Sequence, residues 1–204
     1  MKNGTGEMKT WLAELRRSVL AVALLAVILC GLYPLVTWLL AQGLFPGRAN
    51  GSLIVRDGAV VGSALIGQRF SSPAYFHPRP SAAGAGYDAS RSGASNLGPL
   101  SKELVETVRR RIDEYRAENG LPAGSPVPAD AVLASASGLD PHISVENARL
   151  QARRVAKAWG LEETAVRQVI QAATEGRTLG ILGEPRVNVV RLNLAIDGVR
   201  DAGR

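Results

Sequence analysis

The chain has 204 residues, with 24 basic against 18 acidic side chains and a formal charge of +6. That balance is too mild for a nucleic-acid binder, and no basic stripe with interleaved aromatics accompanies it. A single cysteine excludes a disulfide framework, so whatever folds here stands on its own core or on a partner.

Val19 to Ala41 holds 23 residues without a charge. As a helix rising ~1.5 Å per residue it runs roughly 35 Å, enough to cross a hydrocarbon layer of about 30 Å with some tilt. A lone segment cannot close a barrel, so a helix is the form that satisfies its backbone in lipid. Its length, and Trp38 near its end, separate it from a cleaved signal sequence, even though Ala41-Gln42-Gly43 resembles a weak cleavage site. Pro34 predicts a bend or a loosening of the last turns of the helix, and Cys30 reads as a small hydrophobe within the run. Lys2, Lys9, Arg16 and Arg17 precede the run, whereas Arg48 and Arg56 are the first basic residues after it. Positive residues stay in the cytoplasm, so residues 1–18 are expected inside, 19–41 across the membrane and 42–204 outside.

The exported part, Gly43 to Arg204, carries 20 basic and 16 acidic residues and has the length of one ordinary domain with a real core. Gly43 to Asn50 reads as an exit linker broken by Pro46 and Gly47. Ser52 to Ile66 places two β-rich runs around Asp57-Gly58, a dipeptide suited to a type I′ turn, and predicts a hairpin. Gly67 to Pro99 shows no helical or strand period, yet carries Phe70, Tyr75, Phe76 and Tyr87. Linkers rarely hold so many aromatics, so an ordered excursion that covers something is expected.

Helices follow over Ser101 to Asn119, closed by Gly120, over Val145 to Trp159, capped by Ser144 and closed by Gly160, and over Glu162 to Thr174. Arg109-Arg110-Arg111 reads as a solvated face of the first, answered by Glu106, Asp113 and Glu114. Ala129 to Ser135 is a short element of open type. Val187 to Ile196 alternates Val190, Leu192, Leu194 and Ile196 with Val189, Arg191, Asn193 and Ala195, which predicts a closing strand with one buried face. The fold expected is a single N-terminal transmembrane helix plus one mixed α/β (α+β) soluble domain, with a β-hairpin, about three helices and a C-terminal strand.

Residues that carry chemistry are sparse. His77 and His142 are the only histidines and lack a partner cysteine, so no metal site is expected. No Gly-x-Ser-x-Gly elbow occurs, and the glycines of Gly62 to Gln68 lack the Lys-Ser/Thr of a phosphate loop. An interaction module fits better than an enzyme. The alternative is a stand-alone, membrane-anchored exported enzyme or sensor domain, which needs a cluster of perturbed titratable groups that the sequence does not offer.

Four stretches carry a family resemblance: Val61-Gly-Ser-Ala-Leu-Ile-Gly-Gln68; Tyr75-Phe-His-Pro-Arg-Pro-Ser81 continuing to Tyr87-Asp-Ala-Ser90; Ser135-Ala-Ser-Gly-Leu-Asp-Pro-His-Ile-Ser144; and Leu179 to Leu194. With their order and the single N-terminal apolar run, the chain resembles the C subunit of the Kdp-type high-affinity potassium-transporting P-type ATPase. In Ser92 to Leu100 it departs from the family pattern, with Ala94 where a second Gly is usual and Leu100 where a Thr is usual; Ala94 makes a left-handed backbone costly there.

The resemblance implies an accessory, non-catalytic subunit at the inner membrane. Its implied partners are a potassium-channel-like subunit, an ATP-hydrolysing P-type subunit and a small single-helix peptide, besides the lipid bilayer. It implies no cofactor of its own, with ATP reached only through the partner. It also implies a catalytic chaperone that raises the partner's ATP affinity, and this nucleotide role carries over onto Ser137, Gly138 and Gln151. On its helix, Gln151 would ordinarily be a capping or surface amide. Tyr75, Phe76, Arg79, Tyr87 and Asn96 are the candidate partner contacts.

Overall fold

The computed structural model describes residues 4–202. The chain divides into two units, one up to Ser52 and one from Leu53 onward.

The first unit is helical almost throughout. Helix α1 (Gly4–Ala26) passes through a π-helical turn (Val27–Leu32) into α2 (Tyr33–Leu44), and α3 (Pro46–Ala49) follows. Thr10–Leu44 is a 35-residue helix long and apolar enough to cross a membrane. Its large side chains, Leu20, Leu24, Leu29 and Leu39 among them, are exposed, as a lipid-facing surface requires. The π turn explains how Pro34 fits. Proline has no N–H, and its ring collides with the carbonyl four residues back, here that of Cys30. Widening the preceding turn removes the collision, and Tyr33 N–H bonds Ile28 O, five residues back. The loosening therefore lies one turn before the proline, and the last turns of the run, where it was expected, are regular α-helix. The exit stretch is more regular than its breakers suggest. Pro46 starts α3, and Asn50 closes it by donating to Pro46 O (2.8 Å) while pairing amide to amide with Gln42.

The second unit opens with the hairpin β1 (Leu53–Arg56) and β2 (Ala59–Ser63), antiparallel with a bulge between Ile54 and Val55. Asp57 (φ 51) and Gly58 (φ 78) both take the left-handed geometry that a type I′ turn demands. After the excursion come α4 (Lys102–Asn119), α5 (Ala129–Val132), β3 (His142–Ser144), α6 (Val145–Trp159), α7 (Glu163–Ala173), β4 (Thr174–Glu175), β5 (Arg186–Asn188) and α8 (Val189–Ala202). The three short strands form an antiparallel sheet in the order β3-β5-β4.

Caps set the helix ends. Ser101 and Ser144 accept from the backbone N–H three residues on, and Gly120 and Gly160 stop α4 and α6 in the left-handed conformation. Ser144 is itself held by Asp130 of α5, through N–H (2.7 Å) and hydroxyl (2.9 Å). Of the arginine run on α4, Arg111 is not on a solvated face: it turns inward and donates to Val132 O at 2.9 Å.

The expected closing strand is corrected. Pairing stops at Asn188, and Val189 begins α8. Val189, Val190, Leu192, Asn193 and Ile196 are buried, a stripe of period 3.6. Leu194 is only half-buried and Ala195 is exposed. Alternation failed as a guide because Asn193, polar and therefore assigned outward, points into the core. Asn188 caps the helix by accepting from Arg191 N–H (3.1 Å), and its amide also donates to Ala64 O (2.8 Å), tying the end of the hairpin to the domain.

The core gathers Ala152 and Val155 of α6, Val166 and Ile170 of α7, Leu192 and Ile196 of α8, Ile143 and Val187 of the sheet, and Phe76 from the excursion. A loop residue is thus the largest fully buried side chain of the domain.

Candidate functional site

Residues 73–77 run between α6 and α8 without pairing to any strand, so their backbone groups need partners from elsewhere. Side chains supply them. Arg154 donates to Pro73 O (2.6 Å) and Tyr75 O (2.8 Å), and Trp159 Nε1 donates to Ala74 O (2.5 Å). Asn193 Oδ1 accepts from Phe76 N–H (2.8 Å) while its Nδ2 donates to Phe76 O (3.0 Å). Gln151 repeats the pattern one residue on, accepting from His77 N–H (2.7 Å) and donating to His77 O (3.0 Å). Tyr75 hydroxyl donates to Asp197 (3.0 Å), which also binds Arg56 (2.7 Å), and Tyr75 packs edge-on against Trp159.

Spacing on the helices makes this cradle possible. Gln151 and Arg154 stand three apart on α6, and Asn193 and Asp197 four apart on α8, so each pair shares a face. Gln151 is 1 % exposed, not a capping or surface amide. Beneath it, Asn147 accepts from Gln151 Nε2 and from the Tyr115 hydroxyl, both at 2.8 Å, and donates to Asp130 at 3.0 Å. Burial pushes the Tyr115 phenol well above its usual range, which keeps it a hydrogen-bond donor. Burial also lowers the Arg154 guanidinium.

The excursion beyond residue 77 is pinned twice more. His77 Nδ1 lies 2.8 Å from Glu118 of α4, and this hydrogen bond holds the Glu118 carboxyl below its ordinary value against the opposing effect of burial. Arg79 donates to Asp140 at 3.0 Å. Burial alone would raise Asp140, but hydrogen bonds from His142 and the Arg79 charge outweigh it and leave it lowered. The Tyr87 hydroxyl donates to Arg79 O, and desolvation raises its phenol. Ser81 donates to Gly138 O (2.6 Å) and accepts from Tyr87 N–H (2.8 Å), while Gly93 N–H and the Ser92 hydroxyl both reach Ser137 O at 2.9 Å.

The expected site residues therefore separate into two places. Ser137 and Gly138 lie against residues 81–93, whereas Gln151 lies under Phe76 and His77. A cleft of about 280 Å³ has Gln151, Arg69, His77, Arg79, Tyr87 and Arg111 among its walls, and neither Ser137 nor Gly138 lines it. Of the candidate partner contacts, Phe76 is corrected. It is wholly buried in this domain's own core, so it anchors the excursion and offers no surface. Tyr75, Arg79 and Tyr87 are half-buried with internal partners, and Asn96 is exposed. Asn96 (φ 52) is also the left-handed residue of the stretch in which Ala94 departs from the family pattern. The part that Asn193, Arg154, Trp159 and Asp197 play in the cradle went unread in the sequence, although polar residues on otherwise Ala- and Val-rich helix faces were the available signal.

Among the described residues no group of three His, Cys, Asp or Glu side chains is placed to hold a metal ion. Both histidines are bonded to carboxylates, and the buried amides are bonded to backbone and to each other. This is the chemistry of a held surface.

The profile described as KdpC: K+-transporting ATPase, c chain, matches residues 15–198. A potassium-transporting ATPase KdpC subunit of Myxococcus xanthus is 56% identical over 190 residues, covering 92% of this chain and 87% of the relative. That of Nitratidesulfovibrio vulgaris is 52% identical over 189 residues, covering 92% and 95%. That of Mycobacterium tuberculosis is 52% identical over 179 residues, covering 87% and 95%.

Proposed function

The chain belongs to the KdpC family, the c chain of K+-transporting ATPases, and on that premise we propose that it assembles and stabilises an ATP-driven, high-affinity potassium uptake complex. Its apolar helix anchors it once in the inner membrane, with the N-terminus in the cytoplasm and the domain outside. There it meets a channel-like subunit, an ATP-hydrolysing P-type subunit and a small single-helix peptide. One helix without an internal charge cannot form an ion path, so the ion and the phosphoryl chemistry belong to those partners.

The observation that carries this reading is the excursion. More than thirty residues without a regular element would be costly to order, yet five of them in a row are bonded by dedicated side chains from two helices. Such an investment fits a surface that must keep one shape for a partner. The chaperone effect on ATP affinity then acts through assembly, since a domain outside the membrane does not meet cytoplasmic ATP. In a cell that depends on this transporter, deleting the chain should abolish growth at limiting potassium. The full chain should restore growth, whereas residues 53–204 without the helix should not. Normal growth of the deletion strain would refute the role.

A further inference from the structure

The geometry points to Gln151 as a positioning residue that acts with Asn193 as a pair of backbone clamps, and not as a nucleotide ligand. The proposal rests on the accessory-subunit reading in one respect: the surface being positioned is the one offered to partner subunits.

A glutamine amide has two N–H donors and an oxygen with two lone pairs. In Gln151 all four are used. Oε1 accepts from His77 N–H and from Arg154 Nη2, both at 2.7 Å, while Nε2 donates to His77 O at 3.0 Å and to Asn147 Oδ1 at 2.8 Å. A phosphate or adenine group reaching this amide would have to break one of these bonds and strand a buried polar partner.

Asn193 is the second clamp. It comes from a different helix and does not line the cleft that Gln151 lines. Even so, it makes the same two-bond grip on the adjacent residue, Phe76. Two amides thus stand in for the neighbouring strands that residues 76 and 77 lack, fixing both N–H and C=O of each. Phe76 is locked into the core and His77 is aimed at Glu118, so the chain from residue 78 onward leaves the cradle in a set direction. A ligand role belongs to Gln151 alone, whereas a clamping role is shared by both amides. That difference is measurable.

The test uses the full chain within the detergent-purified transporter, comparing wild type with Gln151→Ala, Asn193→Ala, and the conservative Gln151→Glu and Asn193→Asp. Three quantities are read: hydrogen exchange at Phe76 and His77, recovery of the complex, and KM for ATP against kcat. Both alanine variants should speed exchange at residues 76–77 by about tenfold or more, the scale of one lost buried hydrogen bond. Both should lower recovery alike, with KM for ATP moving by the same factor in the two. Gln151→Glu and Asn193→Asp keep the acceptor and should restore protection of the His77 and Phe76 N–H, respectively. If an alanine variant does not fold, the conservative pair carries the same comparison. The proposal is overturned if Gln151→Ala raises KM for ATP severalfold while protection at residues 76–77 and the Asn193→Ala enzyme stay at wild-type values. Failure of the wild-type chain to purify with any partner would instead refute the accessory-subunit reading, and exchange in the free chain would still decide the clamp.

Discussion

Gly138 shows how much a single position decides. Its φ is +66°, and a Cβ there would lie 2.6 Å from both Ala83 N and Gly93 O, against backbone that cannot swing aside. Gly138→Ala should therefore separate the turn from residues 81–93 and destabilise the domain by at least about 1–2 kcal/mol, measured as a lowered urea midpoint. Phe76→Ala empties the centre of the core and should cost more, roughly 3–5 kcal/mol. The family resemblance singled out Gly138 and Gln151 for nucleotide chemistry, and their geometry gives both a packing reason. Neither reason was legible in the sequence: the left-handed glycine needs its neighbours across the fold, and Gln151 needs His77, seventy-four positions away.

At the scale of elements, local signals were read well where they are local. The Asp57-Gly58 turn, the Ser101 and Ser144 caps and the Gly120 and Gly160 stops all depend on residues within one turn. The α8 segment was misread because its buried asparagine imitates the polar half of a strand, and only the excursion packed beneath it explains why Asn193 turns inward. The excursion itself was expected to be ordered from its aromatics, but the side chains that order it lie on α6 and α8, where polar residues on small apolar faces do not say which segment they hold.

Charge pairs also fasten the excursion, and they give its stability a pH dependence. The folded-state values of Glu118 and Asp140 are lowered from their ordinary 4.5 and 3.8. A lowered carboxyl binds fewer protons folded than unfolded, so its contribution is fully present above the ordinary value, shrinks below it and is lost as pH falls through the lowered folded-state value. The stability gap between wild type and Glu118→Gln should accordingly close as the pH is taken below 4.5 in thermal or urea unfolding. A gap that widens on acidification would contradict the assigned sign.

For the whole molecule, the membrane-length helix was the most legible feature, because an uncharged run of that length needs no tertiary information. A reporter fused after Arg204 should be active only outside the cytoplasm, and a cytoplasmic signal would reverse the proposed orientation. The remaining claim is that this chain is one part of a pump and has no activity alone. Purification of the tagged full chain in mild detergent tests it directly. Stoichiometric co-elution with a channel-like and an ATP-hydrolysing membrane subunit is expected, with potassium-stimulated ATP hydrolysis in that peak. A stable, lone chain with an activity of its own would contradict it.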